Sequence, residues 1–349
     1  MKKTIGYSLV VLSIVAVTFL TGCMSKKGEF DENTNMKQAY TKKMDKDDIK
    51  NGKIKEDALM LSVGDIDVTY REAMAYALLY KKDYEGLLSD KIWDFEVETN
   101  KTFDIAMKEC IINQIVKSKI IEYGAKKVGV VIEPDEKIEI EDKAMECYRQ
   151  LFGDKEGMYG VTQAVIKNVL YDDYLANKVY EVATNDVDVV VKDSESKVPI
   201  VKQIEVLYKG YDANGKKITR SKALAKEILS EVKNKIKYEN YNFTEMALEY
   251  SDSKEIELKM TADVTSNTLR KVAIKLEKDE LSEIIETDKG YYLYYCVEEN
   301  DEELEKNNIE DIIIKRQDEI FANVYEKWLT NNNIYIVSEL WNKINLADI

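Results

Sequence analysis

Apolar residues recur at helical spacing along much of the chain, with polar residues on the opposite face. The stretches with this pattern are residues 70–84, 102–127, 134–152, 162–183 and 305–329. Thr69 and Glu72 have the spacing of a capping box, so a helix is expected to begin at Tyr70. The pattern therefore predicts a mostly helical domain over residues 58–185 and another long helix near the C-terminus.

Alternation of apolar and polar residues marks the expected strands. Residues 201–207 alternate in the way that suits a half-buried strand. Residues 59–68 suit a hairpin that turns at Gly64. The strand at 201–207 is followed by an amphipathic helix at residues 221–237 and by further short elements, which predicts a separate small α/β domain over residues 198–298.

The composition narrows the function classes. A net charge of −15 over 349 residues does not favour binding to nucleic acid or to an anionic lipid surface. The chain has no histidine, no Cys-x-x-Cys pair and no glycine-rich phosphate loop, so we expect no metal and no cofactor. Cys110 and Cys147 both fall in the helical part, where one disulfide is an open alternative on the oxidising side of a membrane.

The start of the chain has the features of a targeting segment. Two early lysines precede residues 7–20, which are mostly apolar but shorter than the ~20 residues that a membrane span needs. The run ends in a Leu-Thr-Gly-Cys quartet that resembles the bacterial lipobox. This resemblance implies a lipoprotein signal peptide over residues 1–22 and lipidation at Cys23; a transmembrane anchor is the alternative. Residues 23–57 are polar and charged, which predicts a disordered tether.

Two phrases in the predicted α/β domain carry a family pattern. They are Phe243, Ala247, Tyr250, Ser251 and Asp252, and then Ala273, Leu276, Glu280, Ser282, Thr287, Gly290 and Tyr291. In order and spacing, these residues resemble the parvulin-type peptidyl-prolyl isomerase domain. Residues 62–72 similarly resemble the opening of the N-terminal chaperone domain in foldases of the PrsA and SurA type.

The resemblance implies an α+β fold. In such foldases the mostly helical N-terminal chaperone domain is completed by the C-terminal helix, here within residues 303–349, and the parvulin-like domain of residues 198–298 is an insertion. A helical domain of this length also needs partner faces to close its core, which favours the return of the C-terminal helix over a free coiled coil. We therefore expect Trp328 and Trp341 to pack near residues 100–180.

The isomerase site that the resemblance implies is degenerate. Active members carry two histidines, a cysteine or aspartate, and a threonine, and these positions hold Gln203, Tyr292, Ser253 and Thr287. The positions that would receive the peptide's proline fall on Leu269, Ile274 and Thr265. Rotation about a peptide bond has a barrier of about 18–20 kcal/mol, and lowering it needs a shaped site. We therefore predict that isomerase activity is absent or very weak.

Three functions remain open. The first is a lipid-anchored, extracytoplasmic chaperone or foldase that binds unfolded or secreted polypeptides at the cell membrane. The second is an active peptidyl-prolyl cis-trans isomerase that uses Ser253, Thr287 and Tyr292. The third is a non-catalytic assembly or scaffold lipoprotein of the cell envelope. The sequence favours the first, with polypeptides and the membrane as partners, without nucleic acid, and with a homodimer as an open alternative.

Overall fold

The computed structural model describes residues 39–261 and 267–349, so Cys23 and Thr265 lie outside the described residues. The helices are α1 (Tyr70–Leu88), α2 (Phe103–Val128), α3 (Pro134–Phe152), α4 (Gln163–Thr184), α5 (Asp193–Ser196), α6 (Lys222–Glu239), α7 (Phe243–Tyr250), α8 (Asn267–Ala273), α9 (Glu302–Thr330) and α10 (Ser338–Trp341). The strands are β1 (Ala39–Thr41), β2 (Ile49–Lys50), β3 (Lys53–Ile54), β4 (Leu59–Val63), β5 (Ile66–Thr69), β6 (Glu96–Glu98), β7 (Lys101–Thr102), β8 (Ile200–Leu207), β9 (Glu257–Lys259), β10 (Ile285–Glu286), β11 (Gly290–Glu298) and β12 (Ile334–Ile336). This combination of helices and sheets confirms the predicted α+β class.

The chain divides into two compact units, each with an apolar core. The first unit contains the described residues up to Asn185 together with Glu319–Ile349. The second unit contains Asp186–Asp318. Helix α9 therefore begins in the second unit and ends in the first.

The sheet of the first unit joins distant parts of the chain in the strand order β1-β12-β4-β5. Strand β1 pairs with β12 in parallel, and β12 pairs with β4 in antiparallel. Residues 39–57 differ from the predicted tether, because they form β1, β2, β3 and a 3₁₀ turn at Lys46–Asp48. Backbone hydrogen bonds hold these strands, and such bonds form even where side chains are polar.

The C-terminal residues pack into the core of the first unit. Trp328, on α9, lies against α2 at Gly124, which falls within the predicted region. Trp341 donates a hydrogen bond from Nε1 to the Met60 carbonyl at 3.3 Å. Both indole rings are buried and belong to the same apolar cluster as the core of α2.

A buried ionic cluster connects α1, α2 and α4. The Lys119 ammonium lies 2.8 Å from Asp172 Oδ2 and 2.7 Å from Glu72 Oε1, and Tyr76 donates its hydroxyl to Asp172 at 3.1 Å. Burial opposes the charged form of Lys119, but the two carboxylates outweigh burial and raise the lysine pKa. The cluster therefore keeps a buried cation paired among three helices.

We expect Asp173→Asn to remove a pH-dependent loss of stability. Burial, with a smaller effect of the Asp172 carboxylate, raises the pKa of Asp173 from 3.8 to about 7. The unfolded chain therefore loses this proton at a lower pH than the folded chain does. The wild type should lose stability as the pH rises from about 4 through 7, with the full loss present above about 7.

Because Asp173 keeps some solvent exposure, the expected gain of the variant is about 1–2 kcal/mol at pH 8 and close to zero below pH 4. Urea unfolding followed by tryptophan fluorescence measures this gain in the free energy of unfolding. All three tryptophans, Trp93, Trp328 and Trp341, belong to the first unit, so the signal reports on that unit. A gain of the same size at both pH values would contradict the assignment.

The sheet of the second unit has the strand order β10-β11-β8-β9, and its neighbours are all antiparallel. Helices α6 and α7 pack on one face of β8 and β11, and α8 packs on the other. The segment before β8 is held by cations of this unit. Arg316 donates to the carbonyls of Asp188 and Val190, and Arg270 donates to the carbonyls of Ser194, Glu195 and Lys197.

Within residues 39–261 and 267–349, no helix combines the length and the apolar character of a membrane span. Over the same residues, no group of three or more Cys, Asp or Glu side chains is arranged to hold a metal ion. Cys110 and Cys147, for which a disulfide was an open alternative, are not bonded to each other. Cys296 is also outside any disulfide, and its thiol donates to the Leu276 carbonyl at 3.8 Å.

Candidate functional site

The pairing of β8 with β11 brings two predicted site positions onto one face of the second unit's sheet. Gln203 lies opposite Tyr294, and Glu205 lies opposite Tyr292. Residues that face each other in an antiparallel pair project from the same side of the sheet. We call the side that carries these four residues the site face.

Tyr292 is a buried member of the site face. Its hydroxyl donates to Glu205 Oε1 at 2.6 Å, and the residue is only 8% exposed. Burial, together with the hydrogen bond to Glu205, raises the tyrosine pKa well above its usual range. The phenol therefore stays protonated at neutral pH and does not serve as a general base.

Gln203 is tied to the neighbouring loop. Its Nε2 donates to the Glu255 carbonyl at 2.8 Å, and its backbone N–H donates to the Ile256 carbonyl at 2.7 Å. Ser253 meets the same loop residue, since its hydroxyl accepts from the Glu255 N–H at 3.1 Å and donates to the Glu255 carbonyl at 3.3 Å. The structure thus joins Gln203 and Ser253 through Glu255 and not through a substrate-facing network.

Thr287 holds the turn before β11. Its Oγ1 donates to the Gly290 carbonyl at 3.0 Å and accepts from the backbone N–H groups of Lys289 and Gly290. The turn fixes where Tyr292 enters the strand, two residues after Gly290. Thr287 therefore shapes the site locally, by holding the turn that leads into the strand of Tyr292.

Sequence reasoning missed two members of the site face, Glu205 and Tyr294. Tyr294 is fully buried, and its hydroxyl has no hydrogen-bond partner among the described residues. Burial, and then the Glu205 carboxylate, raise the pKa of this tyrosine. Both residues follow a predicted site position by two, so the period of the strand would have placed them on the same face.

Helix α8 covers the site face. Leu269 is 9% exposed and belongs to the apolar cluster that contains Tyr292 and Tyr294. Ile274 follows α8 directly and is half-buried. The structure therefore brings Leu269 to the predicted site and leaves Ile274 at the end of the covering helix.

A sequence comparison finds a family whose model matches part of the chain. Residues 207–298 match the rotamase family, the PPIC-type PPIase domain. The match contains Ser253, Leu269, Thr287 and Tyr292, whereas Gln203 lies just before its first residue. No curated protein sequence matches the chain.

Several solved structures are also similar to this chain. A peptidylprolyl isomerase, PrsA, from Bacillus cereus is 18% identical over 69% of this chain and 92% of its own, with a TM-score of 0.37. The foldase PrsA from Lactococcus lactis is 15% identical over 81% of this chain and 96% of its own, with a TM-score of 0.32. A SurA-like chaperone from Campylobacter jejuni is 12% identical over 79% of this chain and 98% of its own, with a TM-score of 0.28.

Relative to an active rotamase domain, the chemistry of the site face is limited. The chain has no histidine, and the two positions where the family's histidines were expected are buried and engaged in hydrogen bonds within the protein. The remaining groups are a carboxylate that accepts from Tyr292 and a tyrosine hydroxyl enclosed by the core. This arrangement can stabilise the fold, but it offers no imidazole to a bound peptide.

Proposed function

We propose that this chain is a membrane-anchored, extracytoplasmic chaperone or foldase that binds unfolded or secreted polypeptides, with an inactive isomerase site. The match of residues 207–298 to the rotamase family supports the foldase class. The acidic charge of the chain, −15, favours a body that stays away from anionic lipid surfaces while it is attached to the membrane.

One observation carries the proposal that the isomerase is inactive. Gln203 and Tyr292 replace the expected histidines, are 7% and 8% exposed, and bond to Glu255 and Glu205 of the same unit. A peptide could reach either side chain only after these hydrogen bonds break. Because the expected catalytic groups are both changed and internally satisfied, the rotamase-like domain acts in this proposal as a binding or spacing element.

The anchor in this proposal is a diacylglyceryl group on Cys23, after removal of residues 1–22. It is supported by the lipobox-like quartet that ends at Cys23. A diacylglyceryl group has two acyl chains, and two chains are what stable anchoring requires. Metabolic labelling with a fatty acid should label the wild type and not Cys23→Ala; equal labelling of the two would remove the anchor from the proposal.

The decisive experiment measures two activities of the full chain side by side. We expect the rate of cis-trans isomerisation of a short X-Pro peptide to equal the uncatalysed rate, while an active parvulin in the same assay accelerates it. We also expect the chain to suppress aggregation of a chemically unfolded reporter protein. A catalysed rate that falls in Tyr292→Phe would establish the active isomerase instead.

Aggregation of the reporter separates the chaperone from the third function. A non-catalytic scaffold has no reason to bind unfolded chains, so it would leave aggregation unchanged at equimolar concentration. Tyr292→Phe is the matched variant for both assays, because it removes only the hydroxyl that Glu205 accepts from. It should leave aggregation suppression intact if the site face is structural.

A further inference from the structure

The second unit contains a cavity on the side of its sheet opposite the site face. The cavity has a volume of about 350 Å³, is half open to solvent, and is lined by the end of α6, the loop of residues 279–283 and Tyr295 of β11. Tyr295 lies opposite Lys202, one residue out of phase with Gln203, and so projects from the other face. The volume lies within the range of about 300–1,000 Å³ that is common for small ligand sites.

A displaceable ion pair lies at this cavity. Lys233 Nζ is 2.6 Å from Glu283 Oε2, and the lysine side chain is 12% exposed whereas the glutamate side chain is 90% exposed. The hydrogen bond to Lys233 lowers the pKa of Glu283, and the charge of Lys237 acts in the same direction. Two ammonium groups therefore act on one carboxylate that is otherwise surrounded by water.

The rest of the lining is apolar or already paired. Ile236 and Leu281 are partly buried against the core of this face. The ring of Tyr295 packs on Phe243 with centroids 5.7 Å apart, and its hydroxyl donates to Asp279 Oδ1 at 2.6 Å. The tyrosine and aspartate thus satisfy each other, which leaves the lysines as the charged groups that can bind a ligand.

We propose that this cavity binds the C-terminal residue of a polypeptide whose last side chain is apolar. The α-carboxylate takes the place of Glu283 beside Lys233 and Lys237, and the apolar side chain packs on Ile236 and Leu281. When Glu283 is displaced, the lining carries two lysines and one aspartate, so a single negative charge on the ligand makes the site neutral. This binding site lies on a different face from the rotamase-like site and does not depend on its activity.

Binding of acetyl-alanyl-alanyl-leucine to the full chain, measured by isothermal titration calorimetry, tests the proposal. The same peptide with a C-terminal amide should bind at least about tenfold more weakly, because it lacks the carboxylate. A peptide acid that ends in serine should also bind more weakly, because it lacks the apolar side chain.

Three variants sharpen the test. Glu283→Gln removes the internal competitor and should lower the dissociation constant of the leucine peptide about three- to tenfold. Lys233→Met keeps the aliphatic stem and should raise the dissociation constant about tenfold or more. Lys226→Met, the same substitution at an exposed position of α6 outside the cavity, should leave it unchanged.

The outcomes are distinguishable even if Lys233→Met folds poorly. Glu283 is a solvent-exposed side chain, so Glu283→Gln is expected to fold like the wild type. If Glu283→Gln binds the peptide acid no better than the wild type, or binds acid and amide equally, the proposal is overturned. Because the readout is a dissociation constant for a defined peptide, a failure to suppress aggregation would count against the proposed chaperone function and not against this site.

Discussion

Replacing Lys119 by methionine is expected to lower the free energy of unfolding of the first unit by about 3–5 kcal/mol. The lysine side chain is 7% exposed, and its ammonium is the cation for both Asp172 and Glu72. Methionine fills a similar volume but leaves the buried Asp172 carboxylate and the partly buried Glu72 carboxylate without their cation. A buried unpaired charge is costly, because neither water nor a partner replaces the lost interaction.

Urea unfolding followed by tryptophan fluorescence measures this loss, with Lys126→Met as the matched control. Lys126 lies on the same helix, but its pair with Glu122 is exposed, so its removal should cost about 0.5 kcal/mol or less. Burial already raises the pKa of Asp172. The loss in Lys119→Met should therefore be smaller near pH 4, where the carboxyl can be protonated, than near pH 8.

Two further results would test whether the buried ion pairs of Lys119 stabilise the first unit. Adding Asp172→Asn to Lys119→Met removes one of the buried charges and should recover part of the lost stability. If Lys119→Met is instead no less stable than Lys126→Met, water reaches the cluster and the ion pairs are not a source of stability. The comparison tests burial itself, since both lysines belong to α2.

The start of α1 shows how a correct prediction can rest on the wrong contact. The spacing of Thr69 and Glu72 predicted a capping box and a helix start at Tyr70, and the helix does begin there. Thr69 makes no side-chain cap, however, and Glu72 pairs with Lys119. The free N–H groups of Tyr70 and Arg71 instead donate to the carbonyls of Ala58 and Glu56. The cap is therefore a tertiary contact, which local spacing does not reveal.

Residues 39–57 differ from the prediction for a related reason. Their polar composition indicated a tether, since a segment with few apolar residues gains little from burial. Strand β1 nevertheless pairs with β12, and the two lie nearly three hundred residues apart in the chain. Composition describes what side chains can bury, but it does not show which backbone edge is available to pair with.

For the candidate site, too, the sequence identifies residues but not the long-range pairing that brings them together. The order of the family phrases is enough to choose Gln203, Ser253, Thr287 and Tyr292. The structure links Gln203 to Ser253 through Glu255, and it places Thr287 in the turn that precedes the strand of Tyr292. The family phrases do not predict the register in which β8 pairs with β11. That register makes Glu205 the partner of Tyr292, because side chains that face each other across a strand pair meet on one side of the sheet.

Gly124→Ala should destabilise the first unit by about 2–3 kcal/mol, although the same change usually stabilises a helix by about 1 kcal/mol. A β carbon at position 124 would lie 2.3 Å from Cε3 and 2.5 Å from Cδ2 of the Trp328 ring. The ring is rigid and 8% exposed, so it has little room to move away. The helix or the ring must shift, and either movement disturbs a close-packed core.

Gly86→Ala provides the matched control, because Gly86 is also within a helix and a β carbon there would meet nothing within 4 Å. That variant should be more stable than the wild type by up to about 1 kcal/mol. Tryptophan fluorescence during urea unfolding measures both variants. If the ring is the cause, Trp328→Leu should make Gly124→Ala much less costly in the double variant than in the wild-type background. Equal effects of the two alanine substitutions would mean that α9 does not pack its indole against α2, and the core of the first unit would then have to close without that contact.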